Sequence, residues 1–109
     1  MELTGKQKRY LRGIAHSLNP VVGVGKEGQS DAVIRKTRIE LDNHELIKVK
    51  VGDGCLEPAK DIGAWLAEAC GAAVVQVIGH TVILYKRRKK EPSIVLPKAD
   101  APVVVVTAE

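Results

Sequence analysis

Apolar positions along this chain follow a helical rhythm and a strand rhythm by turns. Leu11, Ile14, Ala15 and Leu18 recur at i, i+3, i+4 and i+7, the core stripe of a helix. Thr4-x-x-Gln7 is a capping-box pattern that starts this helix near Gly5. Asn19-Pro20 ends it, because proline lacks an amide donor and pushes its predecessor out of the α region. Val21, Val22 and Val24 then read as a short strand. Ser30 is a good N-cap for a second helix to Asn43, with Ile34, Thr37 and Leu41 inward and Arg35, Lys36 and Arg38 outward. Leu46 to Val51 reads as a strand whose period of two places Ile47, Val49 and Val51 on one face and Lys48 and Lys50 on the other. A third helix runs from about Glu57 to Cys70, with Pro58 near its start, Gly71 after its end, and Ile62, Trp65, Leu66 and Ala69 as its apolar face. Two strands, Val74–Ile78 and Thr81–Lys86, flank Gly79-His80, a pair suited to a type II′ turn.

The order α-β-α-β-α-β-β defines the fold class as a two-layer α/β protein. Its strand-helix-strand-helix-strand run implies right-handed crossovers that put helices on one face of a small four-stranded mixed sheet. The Lys48/Lys50 alternation predicts an open, wet and positive second face. Residues 1–97 form one domain, and residues 98–109, with Pro102 and Val103 to Val106, form a C-terminal tail that is either a docked strand or loosely ordered.

Composition narrows the partners. The 109 residues include seventeen Lys and Arg against thirteen Asp and Glu, a formal net charge of +4 that favours anionic ligands. The cations cluster at Lys6, Lys8, Arg9 and Arg12 and in the run Lys86 to Lys90. Cys55 and Cys70 have no metal-ligand spacing and read as reduced thiols. The start of the chain lacks the apolar stretch of a signal peptide, and no apolar run approaches the ~20 residues of a membrane span, so the sequence reads as cytoplasmic.

Between the first strand and second helix lies Gly25-Lys26-Glu27-Gly28. Two positions without a Cβ let backbone N–H groups approach an anion, and the helix dipole favours negative charge there. Gly23-Val24-Gly25-Lys26-Glu27-Gly28 formally matches a dinucleotide fingerprint, but the next strand carries Lys48 and Lys50 where an acidic ribose ligand is wanted. No Gly-Lys-Ser/Thr follows, which excludes a Walker loop. A KH loop joins two helices, whereas Pro20 and the valines make a strand precede this one. A strand-to-helix turn that binds nothing stays open at this point. With only Trp65, Tyr10 and Tyr85 as aromatics, Trp65 on a core stripe, recognition by a sheet of stacking rings is disfavoured. Tyr85 beside Lys86 is open to either packing or stacking on a base.

An ordered set of motifs sharpens this reading. It comprises Lys8-Arg9-Tyr10-Leu11-Arg12 with Ala15-His16, Pro20-Val21-Val22, Gly25-x-x-Gly28, His44 to Lys50, and Gln76-Val77-Ile78-Gly79 leading to Leu84-Tyr85-Lys86. Over residues 3–96 the chain resembles the CRM domain (chloroplast RNA splicing and ribosome maturation) in its stand-alone bacterial form, the YhbY family. The resemblance implies a fold similar to the C-terminal domain of bacterial translation initiation factor three. It also implies binding to RNA, specifically ribosomal RNA in precursors of the large subunit, with the GxxG loop as contact. That role carries onto Gly25, Lys26, Glu27 and Gly28, with Arg35, Arg38, Lys48 and Lys50 as a basic track. Two positions depart from the pattern: His80 stands where a Lys or Arg is expected, and Glu27 puts a negative charge in the loop.

His16, His44 and His80 have no partners at ligand or triad spacing. The expectation is a monomeric non-enzyme without cofactor, metal, membrane or small-molecule substrate. The runner-up is a module that docks on ribosomal or assembly proteins, and a nucleotide-binding enzyme comes third.

Overall fold

The computed structural model describes residues 2–89 and 91–97. Its elements are α1 (Gly5–Ala15), β1 (Val22–Val24), α2 (Asp31–His44), β2 (Leu46–Val51), α3 (Ala59–Cys70), β3 (Ala73–Ile78) and β4 (Thr81–Tyr85). This is the order the hydrophobic pattern predicts. The tail 98–109 lies outside the described residues.

Local chemistry explains most boundaries. Gln7 N donates to Thr4 Oγ1 and Thr4 N to Gln7 Oε1, both at 3.1 Å, completing the capping box of α1. Val33 N donates to Ser30 Oγ at 3.2 Å and opens α2. Two helix ends differ from expectation by more than one residue. α1 stops at Ala15, and Leu18 N turns back onto Ala15 O at 2.9 Å, so Leu18 reaches the core from a tight turn rather than a helix. α3 starts only at Ala59, because Pro58 is extended (ψ 152°) at the N-cap and leaves Glu57 outside the helix.

The strand order is β1-β2-β4-β3. β1 and β2 are parallel, with Val22 opposite Val49, and β4 runs antiparallel to both β2 and β3. α2 links the parallel pair, α3 carries the chain from β2 to β3, and β4 returns through Gly79-His80 into the space between them. Gly79 has the positive φ, 58°, that the first position of a II′ turn needs. A bulge between Val74 and Gln76 breaks the alternation of β3. Val74 and Val77 therefore join the core under α2 and α3, while Val75 joins the opposite one.

Both faces of the sheet carry a core. On one, Val22, Val24, Ile47, Val49, Val51, Val82 and Leu84 meet Val33 and Leu41 of α2 and Ile62 and Leu66 of α3, with Trp65 half-buried at the margin. The two crossover helices thus share a face, as the order requires. The second face is not left open, however. Leu11 and Ala15 of α1, with Ile94 and Leu96 from the segment after β4, cover Leu46, Val75, Ile83 and Tyr85. The alternation of β2 hid this because Lys48 and Lys50 follow Leu46 on that face. Lys48 is only half-exposed, its Nζ donating to Leu18 O at 3.0 Å, and the face opens only toward the exposed Lys50.

One residue, Glu45, joins α2 to β2. Its backbone takes φ 62° and ψ −40°, a conformation a side-chain-bearing residue rarely adopts and holds only when its surroundings enforce it. The side chain is fully buried. Arg88 N donates to Oε2 at 2.7 Å, and Ser93 N, Ser93 Oγ and Ile94 N donate to Oε1 at 2.7, 2.9 and 2.9 Å. Burial raises the carboxyl's pKa, but the donors from Arg88, Ile94 and Ser93 outweigh it and hold the group below its ordinary value.

Glu45→Ala is expected to destabilise the chain by about 3 kcal/mol in urea unfolding, since it strands several donors at once. A lowered folded pKa means that the carboxylate's contribution is complete above the ordinary glutamate value of about 4.3 and lost as pH falls through the folded value. Wild-type stability should therefore fall more steeply than that of Glu45→Gln on acidification below that point.

Candidate functional site

Because β1 and β2 are parallel, the loop after β1 and the turn after β2 leave the same end of the sheet. That is the end where ligands of open α/β sheets bind. The β3–β4 turn closes on it too, since Val51 N donates to His80 O at 2.7 Å. Gly52 N donates to Val24 O at 2.8 Å, tying the second turn to the first loop. Three connections, 25–30, 52–58 and 79–80, are thereby gathered in one place.

Within the first of them, Gly28 N donates to Gly25 O at 3.0 Å and closes the turn. Gly28 is buried, has φ +59°, and would drive any Cβ into Glu57 Oε1. Its missing side chain makes the turn possible rather than opening a surface. Gly25 is half-exposed, and a Cβ there would meet Glu27 Oε1 at an ordinary 3.4 Å. Lys26 is exposed at the tip, its stem lying over Gly54, where an added Cβ would come within 3.3 Å of Lys26 Cγ. Behind the loop Ser30 starts α2, whose positive end faces the same way.

Two carboxylates occupy the donors of this loop. Glu27 Oε1 accepts from Gly25 N at 3.1 Å, and Glu57 Oε1 accepts from Gln29 N at 3.3 Å. The tip amides of Lys26 and Glu27 carry no hydrogen bond to the described residues. Glu27, an anomaly in the sequence, is thus a cap for its own loop. Glu57 was missed by the sequence reading, and nothing local could have found it, since its partner lies 28 residues away.

The other predicted cations separate into two groups. Lys50 is exposed and stands in register with Gly23, two residues ahead of the loop. Arg35 is exposed on the early part of α2. Arg38 is exposed but donates through Nη2 to Ala69 O at 2.9 Å, and it lies about 12 Å along the helix from Ser30. Lys48 holds Leu18 O on the far face. Elsewhere Lys36 is paired with Glu40 at 2.7 Å, a bond that lowers the Glu40 pKa, and His44 approaches the same carboxylate at 3.4 Å. Arg88 donates to Asp42 O and Asn43 O at the end of α2. Tyr85 is fully buried and is therefore no stacking platform, its pKa raised by burial and then by the charge of Glu45. Among the described residues, no group of three His, Cys, Asp or Glu side chains is placed to hold a metal ion, and no helix is long and apolar enough to cross a membrane.

The chain belongs to the CRS1 / YhbY (CRM) domain family, which matches residues 3–86. It is 44% identical to the probable RNA-binding protein YqeI of Bacillus subtilis over 95 residues, covering 87% of this chain and 99% of that one. An RNA-binding protein of Haemophilus influenzae is 43% identical over 96 residues, covering 88% and 96%. The solution structure of a hypothetical protein of Staphylococcus aureus superimposes with a TM-score of 0.76 at 41% identity, over 88% of this chain and all (100%) of that one.

The two loop glycines should respond differently to substitution. Gly28→Val is expected to cost about 1–2 kcal/mol, because it forces a left-handed backbone on a branched residue. Gly25→Ala should stay within about 0.5 kcal/mol. Urea unfolding checks both, with amide shifts in Gly28→Val centred on residues 25–30 and 55–58.

Proposed function

We propose that this chain is a non-catalytic RNA-binding protein whose residues 1–97 hold RNA backbone at the Gly25–Gly28 loop. The observation that carries this reading is a strand-loop-helix turn with an exposed Lys26 at its tip, the start of α2 behind it and Lys50 at the same sheet end. Membership of the CRM family and the RNA-binding names of its relatives support the same ligand. The RNA is ribosomal, in precursors of the large subunit, a target that rests on the family resemblance. The protein works as a cytoplasmic monomer without cofactor.

In this reading Lys26 and Lys50 contact phosphates, Arg35 extends the track, and Arg38 and Lys48 contribute less because each is engaged with a backbone carbonyl. With Tyr85 buried and Trp65 half-buried, Tyr10 is the one exposed aromatic, and affinity comes mainly from backbone contacts rather than base stacking.

Filter binding to ribosomal RNA across a salt series tests this. Affinity should fall by orders of magnitude between low and moderate salt. Lys26→Ala and Lys50→Ala should each weaken binding and reduce the salt slope by about one, whereas Lys48→Ala should change the slope by clearly less. Affinity indifferent to salt would instead favour docking on a ribosomal or assembly protein.

A further inference from the structure

Three of the loop's five backbone donors are already occupied. Of the five amides from Gly25 to Gln29, the Gly28 N–H closes the turn, and those of Gly25 and Gln29 are held by Glu27 Oε1 and Glu57 Oε1. A carboxylate offers the same anionic acceptor oxygens as a phosphodiester, and charge-assisted bonds of this kind are the stronger ones. RNA and these side chains therefore compete for the same hydrogens. The negative charges would also repel a phosphate that arrived without displacing them.

We propose that Glu27 and Glu57 are the selectivity residues of the loop: tethered stand-ins for phosphate that a lone anion cannot displace and an RNA strand can. This rests on the RNA-binding reading above and deepens it. A side chain held beside its site by the chain, as Glu27 is from two residues away and Glu57 is from the adjoining 52–58 connection, acts at an effective concentration on the order of millimolar or above, so free phosphate at ordinary levels gains nothing by replacing it. A strand differs because its phosphates are joined. One phosphate engages the exposed Lys26 and the open tip amides, another is held near Lys50, and the phosphate between them is then presented to Gly25 and Gln29 without a further loss of translational freedom. The carboxylates swing out to solvent, which both can reach, since Glu27 is exposed and Glu57 half-exposed. The 52–58 connection itself is anchored by Cys55, which packs on the core and donates through its backbone N to Gly52 O at 3.1 Å, while the neighbouring Leu56 is 96% exposed.

Amide NMR on the full chain, with a single-stranded oligouridylate and with inorganic phosphate as probes, reads the exchange directly. In the wild type the Gly25 and Gln29 amide signals should move with RNA and stay with inorganic phosphate at the same phosphate concentration. In the double variant Glu27→Gln, Glu57→Gln both probes should move them. Filter binding should show the double variant holding RNA about five- to tenfold tighter, because a neutral amide is the weaker competitor. Asp53→Asn, which removes an exposed negative charge from the 52–58 turn without freeing a loop donor, should change affinity less than about twofold. Wild-type amides that respond equally to inorganic phosphate, or that stay unmoved while RNA is retained, overturn the inference and leave RNA binding standing. A wild-type chain that retains no RNA overturns both.

Discussion

Among the described residues, the Glu45 side chain accepts four hydrogen bonds, and the fold depends on them at the junction of its two layers. Helix α2 ends at His44 and β2 begins at Leu46, so a single residue must turn the chain from one layer into the other. It does so with a backbone that only a constrained environment sustains. Its carboxylate supplies that constraint by gathering amides from Arg88, Ser93 and Ile94. Its main chain adds two further ties, Glu45 N donating to Leu41 O and Lys86 N to Glu45 O, each at 2.8 Å. The end of a helix, the start of one strand, the exit from another and the C-terminal segment thus meet at one buried charge. Burying a carboxylate is costly unless its oxygens are satisfied, and four donors satisfy these.

That junction has a consequence at the other end of the molecule. α2 spans the distance from the Gly25–Gly28 loop to Glu45, so fixing its C-terminus also fixes where its N-terminus meets β1. It also decides which cations are free. Arg88 is committed to the carbonyls of Asp42 and Asn43, and Gln7 Nε2 donates to Pro97 O at 3.1 Å, so the segment after β4 is held against α1. The basic run that looked in sequence like an anion-binding stretch contains, at Arg88, a C-terminal cap. Counting cations along a sequence overstates the interface, because bonds to carbonyls and carboxylates draw on the same side chains as phosphates would.

Elements marked by local chemistry were legible in advance: the Thr4/Gln7 box, Ser30, the alternation of β2 and the Gly79 turn all lie within a few residues of what they control. Non-local features were not. The covered second face could not be read from Lys48 and Lys50, because a lysine that donates to a distant carbonyl has the same period as one in water. Nor could the bulge at Val75 be seen in sequence, because the adjacent valines Val74 and Val75 are equally apolar and either one suits either face. Glu45 was visible only as an acidic residue after a helix, and its importance depends on partners more than forty positions away.

The loop shows the same division most sharply. Its two glycines look equivalent in sequence and are not so in space: Gly28 sustains the turn from within, while Gly25 lines the outer edge. Glu27 looked out of place because a phosphate cradle was expected to be empty and positive. A cradle of bare N–H groups has a cost of its own, since unpaired donors are unfavourable and would accept any small anion. Filling them with side chains that can be displaced satisfies the backbone while the site is free. On the proposed reading it also reserves the site for a ligand with several linked charges, and the acidic residues would then belong to the recognition chemistry as fully as Lys26 and set the threshold that a ligand must exceed.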